Sequence, residues 1–289
     1  MNHSEAAAVV VGVDGSPGAA RAVAWAAAEA DARRAPLRLV FALDPRAESG
    51  LHLDDRSGRD FAESVLAQAC QRARVGHPRL EVTSDVVHAS PAEALVRTTH
   101  RGRAAMICLG SGAARPPHPG HRASTATEVL LTAECPVAVV RGFPPSRGWV
   151  VAQLEAEPSS YDVLHLAVTE AELRRLPVRL LTHWGGLDPD AAAQLDRRVR
   201  RDLDRRRARS TRLDAVVVAA PSLEEFLREH AHRVALFVAP QRYCHDVGTV
   251  LHPSARIALE LLDCPIVVGV SEADDAGSVR PKMPEDVTR

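Results

Sequence analysis

Residues that could bind a phosphorylated ligand follow two of the apolar runs in the first half of the chain. Asp14 follows the run Ala8–Val13, and Gly110-Ser111-Gly112-Ala113 follows Ala105–Leu109. A glycine turn lets backbone N–H groups approach a phosphate, and the free amides at a helix N-terminus bind the same anion. The segment Ala123-Ser124-Thr125 opens such a helix nine residues beyond Ala113. The spacing therefore predicts an anion site.

The sequence allows two interpretations of the Asp14 side chain. Its carboxylate could accept hydrogen bonds from a ribose or hold a cation through water, or it could only cap the helix that follows. A dinucleotide fingerprint would need glycine at this position, and no Gly-Lys-Ser/Thr of a phosphate loop occurs in the chain. Both readings stay open.

The sequence argues against a dedicated enzyme. It has no Gly-x-Ser-x-Gly elbow and no obvious general base, although weak ATP hydrolysis stays open. Its five cysteines are scattered, which predicts neither a disulfide framework nor a metal site. Cys135 and Cys264 each precede an apolar strand, so we expect both to be buried small hydrophobic side chains. No catalytic and no metal-binding residue is predicted.

Apolar runs alternate with helical patterns, which predicts an α/β fold with open parallel sheets and helices on both faces. Ligands bind such sheets beyond the carboxyl ends of the strands, where the strand order reverses. The strands predicted in the first half are Ala8–Val13, Leu37–Leu43, Leu80–His88, Ala105–Leu109 and Val137–Val140. The helices predicted there are Pro17–Arg34, a helix that ends near Arg74 after an irregular segment Asp44–Arg59, Pro91–Thr99 and Ser124–Ala133.

The second half repeats this order. Glu134-Cys135-Pro136 and Asp263-Cys264-Pro265 each lead into a β-branched strand, and the two cysteines lie 129 positions apart (264 minus 135). The repeat predicts two tandem domains of five strands each, at 1–142 and 149–271, and a disordered tail at 272–289. The second-half strands are predicted at Val150–Leu154, Val178–Thr182, Leu213–Ala219, Val234–Ala239 and Ile266–Val270, and the helices at Ser159–Arg174, Asp190–Arg207, Leu223–Glu229 and Ser254–Leu262.

Four separated motifs in the first half resemble the universal stress protein family. They are Val9–Ser16, Pro91–Val96, Leu109–Ser111 and Cys135–Val140, and the second half resembles the family more faintly. The chain thus resembles the tandem form common in actinobacteria. The resemblance implies an adenine-nucleotide α-hydrolase-like fold and a stress-response module that binds ATP, or another adenine nucleotide, with Mg²⁺ as a companion ion.

On this sequence the family's nucleotide pattern falls on Gly110, Ala113, Ala123 and Ser124, so alanine replaces two of its three glycines. Each alanine adds a Cβ where the backbone must approach a phosphate. The resemblance assigns the cofactor-binding positions of the first domain to Gly12, Asp14, Ala42, Gly110, Gly112, Ala113, Ala123, Ser124 and Thr125.

The second copy departs further from the nucleotide pattern. Pro240 and Pro253 have the separation of Gly110 and Ala123, 13 positions (253 minus 240 and 123 minus 110). Proline removes an N–H donor and fixes φ, so we expect no nucleotide in the second domain and a structural role for it. Ser254 is predicted to cap the last helix. The alternative is a scaffold protein in which both sites have decayed.

Val137–Val140 and Ile266–Val270 are predicted to be edge strands with apolar side chains, which promote association unless they are covered. In the family such edges pair across a dimer. The tandem arrangement therefore predicts that the two domains pair through these strands within one chain.

Composition narrows the range of partners. The chain has 289 residues, 46% of them hydrophobic, and a net charge of −1, so no global field favours nucleic acid or an acidic membrane. An Arg-rich stretch, Arg197–Arg212, is interleaved with aspartates and contains no aromatic residue, which predicts a solvated helix face. No run reaches membrane-span length and the N-terminus lacks a leader pattern, so a cytoplasmic location is expected.

Overall fold

A computed structural model describes residues 7–45, 55–100, 104–111, 124–145, 147–155, 159–182, 188–208, 213–220, 222–240 and 251–269. They form one ten-stranded sheet in the order β3-β2-β1-β4-β5-β10-β9-β6-β7-β8. The strands are β1 Ala8–Gly12, β2 Leu37–Leu43, β3 Val82–His88, β4 Ala104–Gly110, β5 Val137–Val140, β6 Trp149–Leu154, β7 Val178–Thr182, β8 Ala215–Ala219, β9 Val234–Pro240 and β10 Ile266–Gly269.

Helices connect the strands within each half of the sheet, and two hydrophobic cores result, one on each face. The first lies under α1, α2, α5 and α6, and the second under α3, α4, α7 and α8. Both cores run through the two halves of the chain. The helices are α1 Pro17–Arg33, α2 Asp55–Arg74, α3 Pro91–His100, α4 Thr125–Thr132, α5 Ser159–Arg174, α6 Pro189–Arg207, α7 Leu223–His230 and α8 Pro253–Leu261.

The two halves have the same topology, which confirms the predicted α/β fold. Strands β1 to β5 follow the order 3-2-1-4-5, and β6 to β10 follow the equivalent order 8-7-6-9-10. All pairs within each half are parallel. The predicted domain boundary falls between β5 and β6.

The halves are joined by the strands that the repeated Cys-Pro motif introduces. Strand β10 pairs antiparallel with β5, and Ile266 lies opposite Val139 while Val268 lies opposite Val137. All residues of both strands are buried. The predicted pairing is confirmed, and it removes two apolar edges from solvent. Val270, the predicted last residue of the second strand, and the predicted tail lie outside the described residues.

The structure corrects the predicted starts of α2 and β3. Helix α2 begins at Asp55, within the segment predicted to be irregular. The prediction missed this start because the first turn of the helix is polar and exposed and carries no apolar periodicity. Strand β3 begins at Val82 rather than Leu80, whose N–H donates to the His77 carbonyl in a turn at 3.1 Å. The remaining element ends differ from prediction by one or two residues.

A buried charge cluster joins helices α1 and α5 across the two domains. The Arg33 side chain donates to Glu29 and Glu170, and the Arg174 side chain donates to Glu170 and Glu29. The Glu29 and Glu170 side chains are 1% and 0% exposed. Burial raises the pKa of Glu170 and Glu29 acts in the same direction, while Arg174 and Arg33 oppose them. The cluster thus fixes how the domains sit against each other.

Among the helices that the structure describes, none is both long enough and apolar enough to cross a membrane.

Candidate functional site

The carboxyl ends of β1 and β4 lie side by side at one edge of the sheet. Val11 of β1 is opposite Cys108 of β4, so Asp14 and Gly110 both lie at this edge. In the sheet, β2 lies beside β1 on one side of this pair, and β5 lies beside β4 on the other side. The strand order therefore reverses between them, which is where an open parallel sheet presents a ligand crevice.

Asp14 shapes the turn that leads from β1 into α1. Its side chain is exposed, and its Oδ1 accepts a hydrogen bond from the Ser16 N–H at 2.8 Å. Ser16 is the helix cap, because its Oγ accepts from the Ala19 N–H at 3.1 Å. The reading of Asp14 as the helix cap is therefore wrong. Its exposed carboxylate keeps lone pairs for a ligand.

Gly12 makes room for two core leucines. A Cβ at this position would lie 3.2 Å from Leu109 Cδ2 and 3.3 Å from Leu95 Cδ1. Ala42, on β2, is half-buried and lies opposite Val87 of β3. Both positions thus belong to the packing of the second hydrophobic core.

Gly110 ends β4 against the first turn of α1. A Cβ at this position would lie 2.2 Å from the Gly18 carbonyl carbon and 2.5 Å from the Ala19 nitrogen, closer than any side chain can approach backbone. Packing between strand and helix therefore requires glycine here whether or not a ligand binds. The sequence predicted only a phosphate-loop role for Gly110.

Arg21 of α1 stabilises the ends of β4 and β5 next to Gly110. Its Nε donates to the Arg141 carbonyl at 2.8 Å, and one terminal nitrogen reaches the Ser111 carbonyl at 3.4 Å. The Ser111 N–H donates to the Val140 carbonyl at 2.9 Å. These contacts hold the start of the predicted phosphate loop rigidly against the sheet.

Ser124 caps helix α4, as its position before the helix requires. Its Oγ accepts from the Thr127 N–H at 3.2 Å and lies 2.9 Å from the Thr127 hydroxyl oxygen. Thr125 is the first residue of the helix. Gly112, Ala113 and Ala123 lie outside the described residues. The structure thus describes six of the nine predicted binding residues: Gly12, Asp14, Ala42, Gly110, Ser124 and Thr125.

The strand end that corresponds to Asp14 in the second domain carries a carboxylate with a side-chain partner. Glu155 follows β6 as Asp14 follows β1, 141 positions earlier (155 minus 14). Its Oε2 lies 3.2 Å from Nε2 of His252, and the His252 side chain is 6% exposed. The carboxylate that corresponds to Asp14 is therefore already bonded within the protein.

The His252 side chain also caps the N-terminus of α8. Its Nδ1 accepts from the Ser254 N–H at 3.2 Å and lies 2.7 Å from Ser254 Oγ. Because Nδ1 accepts the backbone hydrogen bond, Nε2 carries the hydrogen that points to Glu155. The prediction that Ser254 caps this helix is wrong: Pro253 is the first helical residue and His252 is the cap. The sequence signal was a histidine directly before that proline.

Gln153 stands where the first domain has Gly12, again 141 positions later (153 minus 12). Its Oε1 is buried and has no hydrogen-bond partner among the described residues. A long polar side chain thus occupies the strand end that the first domain leaves clear.

The buried thiols have the properties of core residues. Burial raises the pKa of Cys135 and of Cys264 to about 12. Thiolates are the reactive form, so neither cysteine is suited to nucleophilic chemistry at neutral pH. No group of three or more metal-ligating side chains occurs in the described part of the chain.

Comparisons with known proteins agree with this architecture. The pattern of the Universal stress protein family matches residues 7–141. A universal stress protein of Mycobacterium tuberculosis (strain H37Rv) is 32% identical over 259 residues, which cover 87% of this chain and 95% of the relative. A second one from the same strain is 28% identical over 267 residues, covering 90% and 95%.

A solved structure supports the fold over both domains. The crystal structure of a universal stress protein from Archaeoglobus fulgidus DSM 4304 aligns with a TM-score of 0.71 at 14% identity, covering 93% of this chain and 97% of that one. The sequence matches extend over both halves as well. The chain belongs to the universal stress protein family.

Proposed function

We propose that the protein is a stress-response module whose first domain binds ATP or another adenine nucleotide and whose second domain is structural. One contrast carries the proposal. Within the part of the chain that the structure describes, Asp14 is exposed and bonded only to the Ser16 N–H of its own turn, whereas its counterpart Glu155 is engaged with His252 at the N-terminus of α8. Among these residues, the strand-end carboxylate of the first domain is the one available to a ligand.

The chemistry of the first site suits a ribose and its phosphates. The Asp14 carboxylate is an acceptor for ribose hydroxyls, or for water molecules around a Mg²⁺ ion that accompanies the nucleotide. The N-terminus of α4 is the positive end of a helix dipole and favours an anion.

The role proposed is binding rather than catalysis. Among the described residues, Asp14 bonds to the Ser16 N–H, and no histidine, cysteine or second carboxylate bonds to it as a base or nucleophile would. A bound nucleotide would instead change the shape or stability of the crevice, which a partner protein would detect.

A scaffold without a nucleotide is the second candidate. The pairing of β5 with β10 and the buried charges of α1 and α5 favour it, because both copies kept the surface that joins the domains. In that case the crevice of the first domain would be vestigial.

Isothermal titration with Mg-ATP separates the two candidates. Asp14→Asn keeps an oxygen that can accept from Ser16 but removes the charge, and Glu155→Gln is the matched change in the second domain. We expect Asp14→Asn to weaken binding roughly tenfold, the effect of one charged hydrogen bond, and Glu155→Gln to change it less than about twofold. Absence of heat with the wild-type chain would leave the scaffold as the function.

Gly110 is unsuited as a probe of this site. Any side chain there would collide with α1, so loss of binding in a Gly110 variant would report on folding alone. Asp14 is the residue to change because its side chain is exposed and its backbone geometry is preserved by asparagine.

A further inference from the structure

A groove between α5 and α6 of the second domain collects arginine side chains. It encloses about 570 Å³, and its lining includes Arg197, Arg198, Arg201 and Arg205 on one wall and Tyr161 on the other. The only carboxylate in this lining is Asp202, which pairs with Arg205 at 3.3 Å. The groove therefore has an excess of positive charge although the whole chain carries −1.

Helix α6 places one row of arginines toward the groove. Arg197, Arg201 and Arg205 recur every four residues and therefore share one side of the helix. Like charges at this spacing repel each other and destabilise a helix. Among the described residues, neither Arg197 nor Arg201 has an acidic partner. The sequence predicted a solvated helix face for Arg197–Arg212. The structure shows that part of this stretch also lines a groove.

Other arginines of α6 are neutralised locally. Arg200 bonds to Asp196 at 2.6 Å and Arg207 to Asp204 at 3.3 Å, and neither arginine lines the groove. Of the arginines that line the groove, Arg205 pairs with Asp202, while Arg197 and Arg201 have no acidic partner among the described residues. The excess charge is local to the groove.

Tyr161 adds an unused donor to the same groove. Its hydroxyl oxygen is buried and has no hydrogen-bond partner among the described residues. The Arg198 guanidinium lies 4.1 Å from the centroid of its ring, so the aromatic face is already covered. Buried hydroxyl groups are normally paired, and a ligand that accepts a hydrogen bond would pair this one.

His165 is the remaining ring in the lining. Its Nδ1 contacts the Arg206 guanidinium, which can only donate. The charge that a ligand meets in the groove comes from the arginines.

We propose that this groove binds a small, multiply charged phosphate-type anion. Guanidinium groups match phosphate oxygens in bidentate geometry, and several along one helix suit a ligand with more than one phosphate. The Tyr161 hydroxyl would donate to one further oxygen. Arg198 already covers one face of the Tyr161 ring, which favours an oligophosphate over a stacked base. The site lies outside the first-domain crevice and is independent of the proposed function.

The test uses sodium tripolyphosphate as the probe, by isothermal titration with the full chain. We expect the double variant Arg197→Gln/Arg201→Gln to lower the affinity at least tenfold, because each loses a charged contact. The matched control, Arg200→Gln/Arg207→Gln, removes the same charge from the same helix and should change it less than about twofold. Equal losses in both variants, or no binding at millimolar tripolyphosphate, would overturn the proposal.

Two further measurements separate this site from other sources of binding. Tyr161→Phe should weaken tripolyphosphate binding without lowering the melting temperature of the free chain, since the hydroxyl it removes has no partner. Asp14→Asn should leave tripolyphosphate binding unchanged even if it abolishes nucleotide binding. A single-stranded oligonucleotide that binds more tightly than tripolyphosphate, and is weakened by the same arginine changes, would contradict a small-ligand site.

Discussion

Arg33 of the first domain donates to Glu170 of the second, and the mirror-image contact also exists. Glu29 and Glu170 are 141 positions apart (170 minus 29), and so are Arg33 and Arg174 (174 minus 33). Each arginine bridges the glutamate of its own helix and that of the other domain. The Arg174 guanidinium also lies 5.0 Å from the centroid of the Trp25 ring. The two repeats thus contribute the same pair of residues to one joint.

Breaking this cluster should destabilise the protein strongly. Arg33→Met leaves a fully buried glutamate without one of its partners, and removing one member of a buried ion pair costs about 3–5 kcal/mol. Urea unfolding followed by circular dichroism measures the loss. Arg200→Met, on the exposed pair with Asp196, is the control and should cost less than about 1 kcal/mol. A similarly small loss of unfolding free energy in both variants would show that the buried cluster stabilises the protein no more than an exposed ion pair does.

Replacing both members of one contact should cost less than the two single changes together. In Arg33→Met/Glu170→Leu no uncompensated carboxylate remains at position 170, so part of the stability should return. A double-mutant cycle in urea gives the coupling energy, which we expect to be about 1–3 kcal/mol. Additive single effects would mean that the two side chains do not interact.

The strand pair β5–β10 should be sensitive to charge. Val268→Lys places an ammonium group at a buried position that faces Val137, which should cost about 2–5 kcal/mol and expose apolar strand surface. Dye binding and sedimentation velocity detect that surface and any association through it. Val216→Lys on the outer strand β8 is the control, since Val216 is 42% exposed. Unchanged dye binding in Val268→Lys would contradict the role assigned to this pair.

Gly110→Ala should destabilise the chain in the absence of any ligand. The new Cβ meets the backbone of Gly18 and Ala19, so strand β4 and helix α1 must separate, at a cost of about 1–3 kcal/mol or more. Gly58→Ala is the matched change, because the nearest atom there, Leu43 Cδ2, is 3.8 Å away and the residue lies in α2. It should stabilise by up to about 1 kcal/mol. Melting temperatures compare the two, and a stable Gly110→Ala chain would refute the packing role.

The buried thiols predict a loss of stability at high pH. Burial raises the pKa of Cys135 and Cys264 from 9.0 to about 12, so the unfolded chain loses these protons first. The stabilising contribution is complete below pH 9 and is lost as the pH rises toward 12, by about 1.4 kcal/mol per pH unit for each thiol. Urea unfolding between pH 8 and 10.5 gives the free energy of unfolding as a function of pH. Its slope in the wild type, compared with that in Cys135→Ala/Cys264→Ala, isolates the contribution of the two thiols. Equal slopes would contradict the assignment.

The fold could be predicted from the sequence because its signals are local. The alternation of apolar runs and helical patterns and the doubled Cys-Pro strand define the sheet, its parallel halves and the strands that join them. Segments with polar first turns were missed, as at Asp55, because exposed helical turns carry no apolar period.

The candidate site could be predicted only in part. Asp14 and Ser124 stand at a strand end and a helix start, which short-range patterns identify. The packing role of Gly110, the capping role of His252 and the four-charge cluster depend on which helix faces which strand or helix. Those contacts join residues far apart in the chain, and a single sequence does not indicate them.

Photo-crosslinking with 8-azido-ATP shows whether the crevices of the two domains differ in nucleotide binding. The experiment uses the Arg197→Gln/Arg201→Gln chain, so that the α5–α6 groove does not capture the triphosphate, and peptide mapping locates the label. We predict label in peptides of residues 1–142, displaced by excess ATP, and none near Glu155 or His252. Label at the second crevice, or no displaceable label at all, would contradict the account.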